Sequence, residues 1–491
     1  MKKTFIVALI ALLIAVPLVG KLSELKDPFT PTTKVSGVSL TSFYNQRIIW
    51  SECYGSFKCG AFQVPIDYSN LKLGKFSIGV LKHDAPNAIG NLVVNPGGPG
   101  GSGINYVYGY ADAFTPAINA KFNIVGFDPR GVGKSAPIKC LSDKETDQLY
   151  SENSYPTTDS EIAKFKADSA AFAKSCQSKN KFLKYYSTAN AARDMDILRA
   201  LLGDSKLNFL GKSYGTYLGT LYAQLFPDNV GKFILDGAVD PTINSMDQTL
   251  QQAISFDSAF NAFAEDCMKS SCVFKSDAAS ELESKLTELN KNPLDVGGRK
   301  LTESLAVYGI AFGLYDKQYG WPELRSALTQ LWSGNGKPLI QMADAYTGRD
   351  SKGNYTNNEA DALTIISCDD VPPSDVSADT VAQFEKAAPL FGKYVAYSDL
   401  NCTYLPHQEY VKVKSSIATK NSVLVIGTTN DPATPYKWAV KLAQVLTNSK
   451  LISLNSDGHT GYNRGSSCVD QAVEKYLISG EIPAQNLACS A

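Results

Sequence analysis

Between Ala192 and Asp236 the chain changes its hydrophobic period several times, and few architectures accept that. "ARDMDILRALLG" (192–203) sets Met195, Leu198, Leu201 and Leu202 on one helical face and stops at Gly203. "KLNFL" (206–210) is a short apolar run, 214–226 returns to helical spacing before Pro227, and "KFILD" (232–236) is strand-like again. Further strand-like runs precede them: "AFQVPIDY" (61–68), "KFSIGVLKH" (75–83), "NLVVN" (91–95) and "KFNIVGFD" (121–128). Strands and helices that alternate in this way predict an α/β architecture, a mostly parallel, doubly wound sheet with helices on both faces.

After Pro241 the period changes. "MDQTLQQAISFDSAFNAFAEDC", "SELESKLTELN", "WPELRSALTQLW" and "ADTVAQFEKAAPLFGKYV" all read as helices, with no convincing strand between them. Strand character resumes at "SVLVIGT" (422–428) and "KLISLN" (450–455), with helix "YKWAVKLAQVL" between. The economical division is a core of 46–245 and 406–491, interrupted by a helical cap of 246–405 that roofs the strand ends before the last strands. Residues 21–45, rich in Thr, Ser and Pro, read as a linker. A formal charge of −1 over 491 residues excludes general binding to nucleic acid or to anionic membranes. The chain is expected to work as a monomer.

Residues 1–20, "MKKTFIVALIALLIAVPLVG", carry Lys2 and Lys3 ahead of an uncharged apolar stretch. That is the charge order and length of an export signal, with a poor cleavage site that leaves a retained membrane tether open. No cysteine precedes Cys53, so a lipid-modified N-terminus is not expected. Ten cysteines in an exported chain are expected to pair. Ten allow on the order of a thousand connectivities, so spacing only suggests partners. Cys53/Cys59, Cys267/Cys272 and Cys468/Cys489 could each close a short loop, which leaves Cys140/Cys176 and Cys368/Cys402. A zinc site is the competing reading, but no C-x-x-C or nearby histidine supports it. The expected location is extracytoplasmic, secreted or at the cell surface.

Gly211-Lys212-Ser213-Tyr214-Gly215 is a G-x-S-x-G wedged between a strand and a helix, the context of a nucleophile elbow. A hydroxyl needs a base, and the chain has three histidines. His459, in "LNSDGHTGY" after the last strand run, stands at the sheet edge where Ser213 is expected; His83 and His407 read as surface or packing residues. The orienting acid should lie between the two in sequence. Asp431 in "GTTNDPATP" fits, Asp236 at the end of "KFILD" is the rival, and Asp457 is too near His459 to reach it easily. An acyl-transfer site also needs donors for an oxyanion. Tyr214 N–H and Gly98 N–H, in "NPGGPGGSG", are the candidates, since Pro99 has no N–H. A phosphate loop is the alternative for that glycine run, but its G-K-[ST] ending is missing.

Taken in order, "VVNPGGPGGSG", "FDPRGVGKS", "LGKSYGTYLG", "FILDGAVDP", "GTTNDPATPY" and "SDGHTGY" resemble the secreted tripeptidyl aminopeptidases of Gram-positive bacteria. These belong to the α/β-hydrolase serine peptidases that include prolyl aminopeptidase. The resemblance extends over most of 46–489, through "WSECYGSFKCGAFQVPIDY" and "CVDQAVEKYLISGEIPAQNLAC". It implies an α/β-hydrolase fold, a Ser213–Asp431–His459 triad under a helical cap, no cofactor, and peptide substrates with free N-termini that yield tripeptides or single residues. Lys212 departs from the small residue that relatives often carry there. An exopeptidase needs an anion for the substrate ammonium, and Asp369 and Asp370 in "IISCDD" are the candidates. Hydrolysis of non-peptide esters, thioesters or amides by the same machinery is the second expectation. A binding protein without catalysis is the third, and the intact triad and oxyanion elements argue against it.

Overall fold

The computed structural model describes residues 27–31, 35, 37–109, 113–372, 374, 376–406 and 410–491. The expected leader over 1–20 and His407 lie outside them. Ten strands of the described residues form one sheet: β1 (Ser51–Cys53), β2 (Phe57–Pro65), β3 (Lys75–His83), β4 (Gly90–Asn95), β5 (Phe122–Phe127), β6 (Leu207–Lys212), β7 (Val230–Asp236), β10 (Val423–Asn430), β11 (Ser449–Asp457) and β12 (Leu487–Ser490). A separate two-stranded hairpin supplies β8 (Leu294–Val296) and β9 (Arg299–Leu301).

The order across the sheet is β1-β2-β3-β5-β4-β6-β7-β10-β11-β12. From β5 to β12 every pairing is parallel, while β1, β2 and β3 join by antiparallel pairs. With a serine turn after β6 and the loops that follow β10 and β11 at the same edge, this is the α/β-hydrolase fold.

Alternation along the central strands builds two cores at once. Val93, Val125, Phe209, Phe233 and Val425 face the layer that holds helices Thr188–Leu201 and Tyr214–Leu225. Leu92, Val94, Leu210, Ile234, Ile426 and Ile452 face the layer of helix Ser467–Ser479. Burial on both faces explains why these strands read as nearly continuous apolar runs.

A third core belongs to the cap, where Phe260, Phe263, Leu282, Leu305, Trp321, Leu324 and Leu339 pack together. They come from helices Ser245–Met268, Ala278–Lys291, Glu303–Leu314, Gly320–Trp332 and Lys337–Thr347.

The expected divisions need four corrections. The β8–β9 hairpin does interrupt the helical region; its turn is Gly297-Gly298, both at positive φ. Helix Glu359–Asp370, expected within the cap, buries Ala362, Ile365 and Ile366 in the main core instead. Conversely, residues 143–179, expected within the core, divide their contacts: helix Asp159–Lys179 keeps Ala173 and Cys176 in the main core but sets Phe165 against Phe384 and Tyr397, and helix Asp143–Ser151 with the turn after it ties to the cap. Tyr155 donates to Glu303 at 2.6 Å, and Arg349 donates to both oxygens of Asp147 at 2.6 and 3.0 Å. The roof is therefore made of two chain segments. Finally, the described part of 21–45 is no free linker, because Phe29, Val35 and Phe43 are buried.

All ten cysteines pair: Cys53–Cys59, Cys140–Cys176, Cys267–Cys272, Cys368–Cys402 and Cys468–Cys489. Such a set marks an oxidising, extracytoplasmic compartment. Among the described residues no helix is long and apolar enough to cross a membrane.

One buried ion pair sets the frame. Arg130, from the "FDPRGVGKS" segment, and Asp194 are both fully buried and meet through two hydrogen bonds of 2.6 and 2.7 Å. The remaining guanidinium donors reach the carbonyls of Pro65, Ile66 and Tyr185. One side chain thus joins the end of β2, the 185 turn and helix Thr188–Leu201. Arg130→Met should leave the buried Asp194 with only the Tyr68 hydroxyl as donor, and three carbonyls unanswered, at a cost of roughly 3–5 kcal/mol. Thermal denaturation of the purified variant checks this, and a midpoint equal to that of the parent protein would contradict it.

Candidate active site

Ser213 occupies φ +54°, ψ −125°, a conformation that side-chain-bearing residues rarely adopt. The turn that forces it is compressed from both sides. A side chain at Gly211 would come within 2.3 Å of the Gly215 carbonyl, and one at Gly215 within 2.9 Å of Asn95. The two glycines of the motif are therefore required by close backbone approach. Ser213 N–H donates to the Asp236 carbonyl at 2.9 Å, which fixes the turn to the end of β7.

The Gly97–Gly101 loop after β4 closes on this turn. A side chain at Gly97 would meet Ser213 Cβ at 2.9 Å and the Lys212 carbonyl at 2.8 Å. Gly97 gives its own N–H to Asn95 Oδ1 at 3.0 Å. Among the described residues Gly98 N–H and Tyr214 N–H have no acceptor, the latter because it opens a helix. Both oxyanion candidates are thus unpaired donors beside Ser213.

His459 and Asp431 are brought together. His459 Nδ1 lies 2.8 and 2.9 Å from the two oxygens of Asp431 and 3.3 Å from Thr434 Oγ1. The buried Asp431 also accepts the N–H groups of Ala433, Thr434 and Thr460 and the Thr434 hydroxyl. The imidazole packs against Gly237, where a side chain would reach its Cε1 at 3.2 Å. Gly237 directly follows the residue whose carbonyl holds Ser213 N–H. Nε2 and the Ser213 hydroxyl make no hydrogen bond to each other among the described contacts, a spacing common before substrate arrives.

The other candidates go elsewhere. His83 pairs in register with Ile124 near the start of β5, at the opposite edge of the sheet, and its ring packs on Phe57. Asp457 binds Lys317 at 2.6 Å and Asn430 at 2.9 Å. Asp236 accepts the N–H groups of Gly461 and Tyr462 at 2.8 and 3.0 Å, so it holds the histidine loop without touching the imidazole nitrogens. Asp369 accepts from Tyr186 N–H, and Asp370 from the N–H and hydroxyl of Thr188 at the start of helix Thr188–Leu201. Burial pushes the Asp370 carboxyl up to about 7 and raises that of Asp369. Asp370 is occupied at the helix start and Asp369 with the turn just before it.

The cap reaches the site through Tyr315. Its carbonyl accepts His459 N–H at 2.8 Å, and its ring meets the imidazole edge-to-face with centroids 5.2 Å apart. Tyr346 stacks beyond it, followed by Tyr308 and Tyr150. Glu359, which the sequence reading did not single out, opens helix Glu359–Asp370 against the other side of the glycine loop. A side chain at Gly100 would meet its carbonyl at 3.1 Å. Its carboxylate has no hydrogen-bond partner among the described residues, and its charge reaches the hydroxyls of Tyr150, Tyr315 and Tyr346. Burial alone raises its pKa. No sequence pattern marks this residue, because only the fold brings it beside the glycine loop.

Residues 388–489 match the family described as TAP-like protein. Over 480 residues the chain is 35% identical to serine protease Hip1 of Mycobacterium tuberculosis, covering 90% of this chain and 91% of that one. It is 34% identical to carboxylesterase B of the same species, covering 88% and 86% of the two chains. It is 28% identical to the tripeptidyl aminopeptidase of Streptomyces lividans, covering 90% and 86%. The chain belongs to the TAP-like family of α/β-hydrolases.

Proposed function

We propose that this protein is an exported serine exopeptidase that releases short peptides, tripeptides foremost, from free peptide N-termini. Relatives named serine protease and tripeptidyl aminopeptidase support the peptidase chemistry. The observation that carries the exopeptidase reading is Glu359. It is an unpartnered, half-buried carboxylate on a residue packed against the glycine loop, within charge reach of Tyr315, which touches His459, and so suited to a substrate ammonium. Asp369 and Asp370, already bonded to the turn before a helix and to its start, are poorer partners for that group.

In this reading Asp431 accepts Nδ1–H and so leaves Nε2 of His459 free to take the Ser213 proton. Oγ then attacks the scissile carbonyl carbon, and the oxyanion is held by Tyr214 N–H and Gly98 N–H. The imidazolium returns its proton to the leaving amine, which departs as the C–N bond breaks. Water, activated by the same imidazole, releases the acyl group from Ser213. The cap and the Glu359 carboxylate fix how far a peptide can enter, which sets the length of the fragment.

The carboxylesterase B relative keeps an ester reading in view, and the substrate panel separates the two. Peptidyl-arylamides with free N-termini should be cleaved, and their N-acetylated counterparts should not. Equal turnover of both would end the exopeptidase reading, and turnover of simple acyl esters alone would favour the other. Ser213→Ala should lower kcat by about 10⁴-fold or more in a folded protein. Activity that persists in that variant would move the nucleophile elsewhere.

Glu359→Gln should lower kcat/KM for free peptides by roughly 10- to 100-fold, the worth of a charge-assisted hydrogen bond, and leave acyl-ester turnover unchanged. Because burial raises the carboxyl's pKa, the anchoring should fade as pH falls, from above the ordinary glutamate range of about 4.3. KM should therefore rise toward acid in the parent and stay flat in the variant. Parent-like kinetics in Glu359→Gln would remove the anchor from this residue.

A further inference from the structure

The loop that carries His459 is held at every residue by a group from elsewhere. Gly458 N–H meets the Asn430 carbonyl, His459 N–H the Tyr315 carbonyl and Thr460 N–H Asp431. Gly461 and Tyr462 N–H both meet the Asp236 carboxylate. The Tyr462 carbonyl accepts from Lys212 Nζ at 3.1 Å, and the ammonium lies 5.8 Å from the Tyr462 ring centroid. Such holding is needed, because Thr460 is a β-branched residue at φ +70°. That conformation persists only where the surroundings impose it.

Lys212 immediately precedes Ser213 and is buried, 8% exposed. It pairs in register with Asp236 across β6 and β7. A buried lysine beside the reacting serine has no role in the triad chemistry, and a small residue would pack there without charge. Resting on the reading of His459 as base, we propose that Lys212 is a positioning residue. With Asp236 it clamps residues 461–462 by N–H and carbonyl together, which sets the imidazole at the height of the Ser213 hydroxyl.

The electrostatics fit this role. Asp236 is a fully buried carboxylate that faces both Lys212 and the imidazole. Lys212 faces Asp236 from β7, Arg464 from the loop after β11 and Asp470 from helix Ser467–Ser479. Burial lowers the ammonium to about 8 and raises the Asp236 carboxyl, and the attraction between the two groups opposes both effects. The imidazole is faced by Asp431, by Asp236 and by the Tyr315 ring. Removing the lysine charge leaves Asp236 uncompensated, so the imidazole sits in a more negative field. Removing the aspartate charge does the reverse.

The test is steady-state kinetics of Lys212→Met and Asp236→Asn against pH on a free-N-terminus peptidyl-arylamide, with folded protein counted by circular dichroism. In Lys212→Met, kcat should fall by roughly tenfold or more while KM stays within about twofold, as for a displaced catalytic group. The acid limb of kcat/KM should move up in pH in that variant and down in Asp236→Asn, a pair of opposite shifts that lost packing would not produce. If Lys212→Met does not fold, Lys212→Gln, which keeps a donor for the Tyr462 carbonyl but no charge, should show the same upward limb. A folded lysine variant with parent kcat, or acid limbs unmoved in both positions, overturns the proposal. His459→Ala, run alongside, tests the base itself: activity retained there would defeat the triad reading, whatever Lys212 does.

Discussion

Two buried carboxylates turn separate strand ends into one site. Asp431 follows β10 and Asp236 ends β7, yet both direct their oxygens at the loop after β11. Each accepts backbone N–H from that loop, so hydrogen bonds join the Tyr315 ring and Gly237 in setting the imidazole's place above the sheet. Burial makes the arrangement demanding, since a carboxylate in the interior must have its donors supplied. Asp431 has three N–H groups, one hydroxyl and Nδ1 of His459. A loop satisfied in this way has little freedom to drift, and preorganisation of that kind is what a proton-transferring group requires.

The roof depends on the same loop. Tyr315 holds His459 N–H, Lys317 pairs with Asp457 and Arg464 with Asp316 at 2.8 Å, so residues 315–317 of the cap grip the segment 457–464. On the far side Gln252 donates to the Ala433 carbonyl beside Asp431. The cap therefore rests on the acid and histidine loops themselves. Cys368–Cys402 and Cys140–Cys176 secure segments that carry its edges, and helix Glu359–Asp370 fixes one wall to the main core. A roof built from two stretches of chain explains why its boundary was hard to read. Helices Asp143–Ser151 and Asp159–Lys179 fall inside the 46–245 stretch that the sequence assigns to the core.

What the sequence made legible was whatever rests on period and order. β3 runs Lys75–His83 as the apolar pattern had it, and the strand–turn–helix around Ser213 and the chain order of Ser213, Asp431 and His459 needed no coordinates. The three cysteine pairs that spacing suggested are found, and so are the two that remained. What escaped was long-range partnering. Phe43 looks like part of a polar linker but is fully buried. The "CDD" segment looks like a free pair of carboxylates, yet a helix start 182 residues earlier in the chain occupies Asp370. Nothing local distinguishes a carboxylate that has found donors from one that has not.

That distinction is the strongest argument about specificity. Asp369, Asp370 and Glu359 sit on one helix, and desolvation raises the pKa of each. Yet desolvation stands alone only for Glu359, because backbone donors counter it for the other two. A buried anion with donors is at rest, and bringing an ammonium to it would displace bonds already made. A partly buried anion without donors is an unfulfilled demand, and a cationic group that enters beside it meets attraction little weakened by water. Of the three, only Glu359 stands next to the glycine loop that closes on the Ser213 turn. Under the proposed exopeptidase reading, the charged end of a peptide is held at that residue, and its distance from the bond that breaks decides how many residues leave together.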